Sequence, residues 1–336
     1  MMPLNQNKSS LRPVSVIATG SYVPSRVLTN ADLAKIVETT DEWITTRTGI
    51  RERRIASPGE VTSDLAVKAA QRAMQKADVA PEDIDLIIVA TITPDMPFPS
   101  TACFVQEKLK ASKAFCFDIQ AACSGFIYAV EIARQFIGSG TVNTALVIGG
   151  EKLSCITDWQ DRSTCVLFGD GAGAAVLKSR PGSRGIFASA LSSDGKLTHL
   201  LNMPGGGSIH PATQQTVKER LHYLKMAGKE VFKYAVNAMV DAAGNVLKKA
   251  SMTIEDVNLI IPHQANMRII QAIGERLDVP ANKYYVNLDR YGNMSAASVP
   301  VALDEAVHNG LIKRHDVVML LAFGGGFTWG ATLMEW

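Results

Sequence analysis

Two stretches of this chain nearly repeat each other half a chain apart. Glu82-Asp83-Ile84-Asp85-Leu86-Ile87-Ile88 recurs as Glu255-Asp256-Val257-Asn258-Leu259-Ile260-Ile261, a spacing of 173 residues in a chain of 336. Upstream, Lys76-Ala77 recurs as Lys249-Ala250 at the same spacing, each pair closing a helical stretch, 63–77 and 229–250. In the second stretch Val231, Ala235, Ala238, Ala242 and Val246 fall three and four apart and make one apolar face. Downstream, the apolar run Thr144 to Ile148 maps onto Val317 to Leu321. Apolar strands alternating with helices read as parallel strands covered on both sides. The expectation is an α/β chain of two pseudo-symmetric halves with mostly parallel sheets, 14–180 and 181–336, behind a flexible polar lead-in at 1–13.

Composition bounds the function. With 47% hydrophobic and 20% charged residues the chain has the makings of a large core. A net charge of +2 argues against a dedicated nucleic-acid binder. No apolar run approaches the roughly 20 residues of a membrane span, so no membrane segment is expected. Five scattered cysteines, with no Cys-x-x-Cys pair, predict neither a disulfide framework nor a metal site and fit a cytoplasmic setting.

One of the five stands out. Cys123 lies in Gln120-Ala121-Ala122-Cys123-Ser124-Gly125, between a strand-like segment and a helix with apolar spacing at Phe126, Val130, Ala133 and Ile137. Free N–H groups at a helix start favour an anion, so the thiol is expected to be ionised and nucleophilic. Small neighbours admit a substrate. His263, in Pro262-His263-Gln264-Ala265-Asn266, follows the second repeat strand, at the sheet edge where α/β proteins place their chemistry. Asn293, in Tyr291-Gly292-Asn293-Met294-Ser295, follows a predicted strand at Tyr284 to Leu288 and takes roughly the place in the second half that Cys123 takes in the first. The remaining histidines sit in polar loops or on helix surfaces. Gly169-Asp170-Gly171-Ala172-Gly173-Ala174 has the look of a dinucleotide loop, but the flanking segments Thr164 to Phe168 and Ala175 to Leu177 both read as strands. We expect a close-packed turn there, not a nucleotide site. Gly324-Gly325-Gly326 follows a strand and offers bare backbone N–H groups.

Taken together, Cys123, the Pro-His-Gln-Ala-Asn around His263, the Tyr-Gly-Asn-Met-Ser around Asn293 and the closing Gly-Gly-Gly-Phe-Thr-Trp-Gly resemble β-ketoacyl-acyl-carrier-protein synthase III, of the thiolase superfamily. The likeness runs from about residue 14 to Trp336 and includes Asp41-Glu42-Trp43-Ile44-Thr45-Thr46-Arg47. It implies a duplicated thiolase-like fold, layered α-β-α-β-α, usually a homodimer. It also implies a decarboxylating Claisen condensation of a short acyl-CoA with malonyl-acyl carrier protein through an acyl-cysteine. On this likeness Cys123 is the nucleophile, with His263 and Asn293 binding the thioester oxygen of the malonyl group. Backbone N–H groups of Cys123 and Gly325 form the oxyanion hole. Trp43, Arg47 and Arg162 hold the nucleotide of CoA, Phe98 lines the acyl pocket, reaching from the dimer partner, and Gly228 and Asn266 line the pantetheine channel. Lys229 departs from the family pattern, which has Asn there. Arg268, Lys233 and Arg276 are candidates for docking the acidic carrier protein. No metal or cofactor is implied, CoA thioester being substrate.

Other readings are a relative making quinolones, polyketide starters or ketones, a cysteine thioester hydrolase, and a non-catalytic carrier-binding module. Degradative thiolases need a second cysteine near the C-terminus, and the last cysteine here is Cys165. Elongating synthases need a second histidine where this chain has Asn293.

Overall fold

The computed structural model describes residues 11–336. The first half runs β1 (Val14–Tyr22), α1 (Asp41–Thr48), α2 (Thr62–Ala77), β2 (Leu86–Ala90), α3 (Thr101–Leu109), β3 (Phe115–Ile119), α4 (Gly125–Gly138), β4 (Thr144–Lys152) and β5 (Asp170–Ser179). The second runs β6 (Ile186–Ser193), α5 (Gly228–Ala250), β7 (Leu259–Pro262), α6 (Met267–Leu277), α7 (Ser298–His308), β8 (Val317–Gly324) and β9 (Thr328–Glu335), with short helical turns and ribbons between.

Five layers follow from which way each strand residue points. Along β2, Leu86, Ile88 and Ala90 pack inward with α4 and α7, while Ile87 and Val89 pack outward with α2 and α3. Along β8, Val318, Leu320 and Ala322 face the same central helices, and Met319, Leu321 and Phe323 face α5 and α6. Side chains alternate along a strand, so a strand covered on both faces must be apolar throughout. That is why the repeat strands carry no polar alternation.

The sheets are mixed, which corrects the expectation of mostly parallel ones. The first has the order β1-β5-β4-β2-β3 and the second β7-β8-β9-β6. Only β4 with β2, β2 with β3, and β7 with β8 are parallel pairs. Three residues separate β8 from β9, and so short a link closes only an antiparallel hairpin.

The 173-residue spacing reaches single dihedral angles. Helices α2 and α5 both end on a left-handed residue, Asp78 (φ 50°) and Ser251 (φ 54°). The tight turns before α4 and α7 both open on one, Ala122 (φ 45°) and Ser295 (φ 46°). The residue that mirrors Cys123 is therefore Ala296, and Asn293 precedes the second turn by two residues. Three further expectations change. Tyr284 to Leu288 contributes only a single bridge, Ile260 to Tyr284, before a helical turn at Leu288–Tyr291. Thr164 to Phe168 is not a strand: residues Arg162–Cys165 form a helical turn. Gly171 and Gly173 lie inside β5, not in a turn. A Cβ on Gly173 would meet Pro300 of α7 at 2.7 Å, so the glycines seat the central helix of the other half. Residues 1–10 of the expected lead-in lie outside the described residues; Arg12 donates to the carbonyls of Ile137 and Val142 at 2.7 and 2.8 Å.

Candidate active site

One cavity of about 870 Å³ lies between the halves, and Cys123, His263 and Asn293 all line it. Cys123 sits in the single 3-10 turn Ala122–Ser124 that leads into α4. The turn is tied to the C-terminal hairpin. Thr328 donates to the Ala121 carbonyl at 2.8 Å, and the Ser124 and Thr328 hydroxyls lie 2.6 Å apart. Gly324 presses on it from β8, where a Cβ would lie 2.5 Å from the Cys123 nitrogen. Gly324→Ala is therefore expected to push backbone against backbone, cost about 1–3 kcal/mol and slow acylation of Cys123. Thermal melting and acyl transfer measured side by side check this.

His263 continues β7, its N–H bonded to the Leu321 carbonyl of β8 at 2.7 Å. Asn293 is held by the first half: its N–H donates to the Leu167 carbonyl at 2.8 Å, and its carbonyl accepts from Gly169 at 3.0 Å. Its side-chain Oδ1 accepts the Ser295 N–H at 2.8 Å, which leaves the amide nitrogen free of that task.

The electrostatics differ from the expectation in one respect. Cys123 is 9% exposed, and burial pushes its thiol up to about 12; the Glu151 carboxylate adds repulsion. Desolvation thus works against the ionisation that the helix start favours. Burial likewise holds the His263 imidazole down to about 3, so the ring is neutral, and its Nδ1 has no partner.

Farther out, Trp43 and Arg47 line the cavity, and the Arg47 and Arg162 guanidinium carbons lie 4.6 and 4.9 Å from the Trp43 ring centre. Arg162 itself faces a separate small hollow with Val37 and Gln160. Gly228, Gly325, Asn266 and Arg268 line the main cavity, as does Lys229. Asn266 caps α6 by accepting the Arg268 N–H at 2.9 Å. Lys233 and Arg276 are exposed, and Arg276 bonds to Asn237 of α5. Phe98 does not line this chain's cavity: it is 84% exposed. The stretch 196–215 contributes Thr198, Leu201, Asn202 and Met203 to the wall, and the stretch 94–104 contributes nothing to it. The sequence reading missed Glu151, Ser295 and the apolar wall of Ile156, Leu224, Met226 and Phe232. Glu151 carried a signal, being a lone acid at the carboxyl end of an apolar strand.

Comparison with known proteins follows the same lines. The model of 3-oxoacyl-[acyl-carrier-protein] synthase III matches residues 117–195, and its C-terminal model matches residues 247–336. The chain is 55% identical over 323 residues to the β-ketoacyl-[acyl-carrier-protein] synthase III of Desulfitobacterium hafniense, covering 96% of this chain and 98% of that one. The crystal structure of 3-oxoacyl-[acyl-carrier-protein] synthase III from Aquifex aeolicus superposes with a TM-score of 0.89 at 51% identity, over 96% of this chain and 100% of that one. The Thermus thermophilus enzyme does so at 0.89 and 45%, over 96% and 99%. The fold is that of thiolase-like condensing enzymes. Within that class the chain belongs to the β-ketoacyl-acyl-carrier-protein synthase III family.

Proposed function

We propose that this protein joins a short acyl-CoA to malonyl-acyl carrier protein, with loss of CO2, to give the first 3-ketoacyl-acyl carrier protein of fatty-acid synthesis. The observation that carries the reading is the meeting of a cysteine, a neutral histidine and an oriented carboxamide in one cavity, in a chain of this family.

Cys123 attacks the acyl thioester and CoA leaves, which splits the reaction into two easier steps. The tetrahedral oxyanion lies on the N–H groups of Cys123 and Gly325, each such donor being worth roughly 2.7–4 kcal/mol. Malonyl-carrier protein then enters. His263 and Asn293 donate to its thioester oxygen, where negative charge collects as CO2 departs. A neutral ring suits this: with the proton on Nε2, the unpartnered Nδ1 is an acceptor, and a buried acceptor is cheaper to leave alone than an N–H. The enolate attacks the acyl-cysteine and expels the sulfur. Decarboxylation supplies the carbanion, so no base need strip a carbon-bound proton.

Adenine stacks on Trp43 in place of one of the two guanidinium groups there, and the other stays beside the phosphates. Pantetheine passes Gly228 and Asn266. Phe98, turned away from its own cavity, lines the acyl pocket of a second copy in a homodimer. Carrier protein docks on the basic rim of Lys233, Arg268 and Arg276. No helix among the described residues is long and apolar enough to cross a membrane, and a cytoplasmic reaction with no cofactor suits these substrates. Incubation with acetyl-CoA and malonyl-carrier protein is expected to yield acetoacetyl-carrier protein; free acetate alone would mean a hydrolase.

The rim makes a separate prediction. Arg268→Glu is expected to raise the KM for malonyl-carrier protein about tenfold, the size of losing one charge-assisted contact, with the KM for acetyl-CoA unmoved. An unchanged KM removes Arg268 from the docking surface.

A further inference from the structure

Arg53 lies on the short strand Glu52–Ile55 and is fully buried, as no other lysine or arginine among the described residues is. One Nη donates to the Leu28 carbonyl at 3.1 Å and to Oδ1 of Asn30 at 2.8 Å, and the other donates to the Val166 carbonyl at 2.7 Å. All three partners are neutral. The carboxylate of neighbouring Glu52 turns instead to Arg54, 3.5 Å away. The Arg53 Nε has no partner. Burial pulls the guanidinium down to about 10, and it stays a cation at neutral pH. A buried charge faced only by neutral oxygens is costly, and packing alone would be better served by an apolar side chain.

What this cation holds stands directly behind Asn293. Val166 is buried, and among the described residues no other donor reaches its carbonyl. The next three residues, Leu167, Phe168 and Gly169, clamp the Asn293 backbone: Leu167 accepts its N–H, Gly169 donates to its carbonyl, and Phe168 bridges to it as a parallel strand would. The stem of Arg53 packs against both sides of the clamp. A Cβ on Gly169 would lie 3.2 Å from the Arg53 Cβ, and one on Gly292 would lie 3.5 Å from it. Gly292 is left-handed (φ 64°) and so close to the clamp that its Cβ would meet the Leu167 carbonyl at 2.6 Å. Asn293 is thus seated on the segment that Arg53 anchors. The far end of the guanidinium is fixed independently, since the Asn30 amide also donates to the Asp41 carboxylate at 2.7 Å and the Ile50 carbonyl at 2.8 Å.

We infer that Arg53 is a positioning residue for decarboxylation, a role that rests on Asn293 as donor to the malonyl thioester oxygen. Its charged fork fixes the segment from Val166 to Gly169 and, through it, the direction of the Asn293 carboxamide. Arg53 does not line the cavity and acts only through these neighbours. A donor that stabilises charge developing in the transition state must already be aimed, because its bond strengthens only as the charge collects. A planar guanidinium, charged throughout and with donors set at fixed angles, ties two separate segments together as a flexible ammonium does not. Asn30 keeps its other two bonds without Arg53, so the helix bearing Trp43 and Arg47 stays in place.

A double-mutant cycle on the full chain tests this, with Arg53→Met, Arg53→Lys and Asn293→Ala. Decarboxylation is followed as conversion of malonyl- to acetyl-carrier protein, and acetylation of Cys123 by intact mass after acetyl-CoA. Arg53→Met is expected to slow decarboxylation about 10²-fold, the size that a misplacement of about 1 Å brings. The KM for malonyl-carrier protein and for acetyl-CoA should not move, and acetylation should stay within a few-fold of wild type. In the Asn293→Ala background the same change is expected to cost nothing further, because the carboxamide it would misplace is gone. Arg53→Lys keeps the charge but not the fork, and is expected to slow decarboxylation only about tenfold. A merely structural role would slow both half-reactions alike, and its loss would multiply with that of Asn293→Ala; either result overturns the role of Arg53. Decarboxylation at the wild-type rate in Arg53→Met overturns it too. Asn293→Ala decarboxylating at the wild-type rate instead overturns Asn293 as the donor, and the role of Arg53 with it. Should Arg53→Met not fold, the same cycle run with Arg53→Lys decides the question.

Discussion

Cys123→Ala will carry no acetyl group after incubation with acetyl-CoA, and intact mass will show the bare chain. No other thiol replaces the lost one. Cys165 is buried, and the other three cysteines, Cys103, Cys116 and Cys155, do not line the cavity. Condensation falls to the background because the acyl group has nowhere to wait for its partner. The methyl side chain is smaller than the thiol and leaves the cavity open, so malonyl-carrier protein should still bind. Acetylation of the variant at wild-type extent would end the assignment.

Next in size is His263→Ala. It is expected to spare acetylation of Cys123 within a few-fold and to slow malonyl decarboxylation by about 10²–10³, the usual cost of one oxyanion donor. Asn293→Ala should divide the two half-reactions the same way. The rate of decarboxylation should also show no histidine ionisation between about pH 5 and about pH 9. The sign is clear: burial lowers the ring's affinity for a proton, to about 3, so His263 stays neutral throughout that range. The same neutrality makes the fold less stable in acid, as the unfolded chain takes up a proton below its ordinary value of about 6.5 that the folded chain refuses. Equal loss of both half-reactions would contradict the division of labour.

Much of this was legible in the amino-acid order, for identifiable reasons. Strands covered on both faces must be apolar throughout, so Leu86 to Ala90 and Val317 to Phe323 announced themselves. The helix face of Val231, Ala235, Ala238, Ala242 and Val246 is buried as its spacing requires. The repeat placed Cys123 and the turn before α7 in matching positions because a duplicated backbone keeps its special dihedral angles, Ala122 with Ser295. Strand direction was less visible. It depends on link length, and Gly324-Gly325-Gly326 reads as a source of backbone N–H groups without showing that it also closes a hairpin. Tyr284 to Leu288 has strand residues but only one bridging partner, so local preference lost to tertiary context. The burial that raises the Cys123 thiol is not legible in the sequence, because a helix start is local and desolvation is not.

The turn bearing Cys123 is braced by Gly324 and Thr328, residues made some two hundred positions later. A ribosome must therefore have carried synthesis past Thr328 before the reactive sulfur acquires its setting. Nascent chains should be chemically silent toward thioesters, protected from premature acylation by the order of their own synthesis.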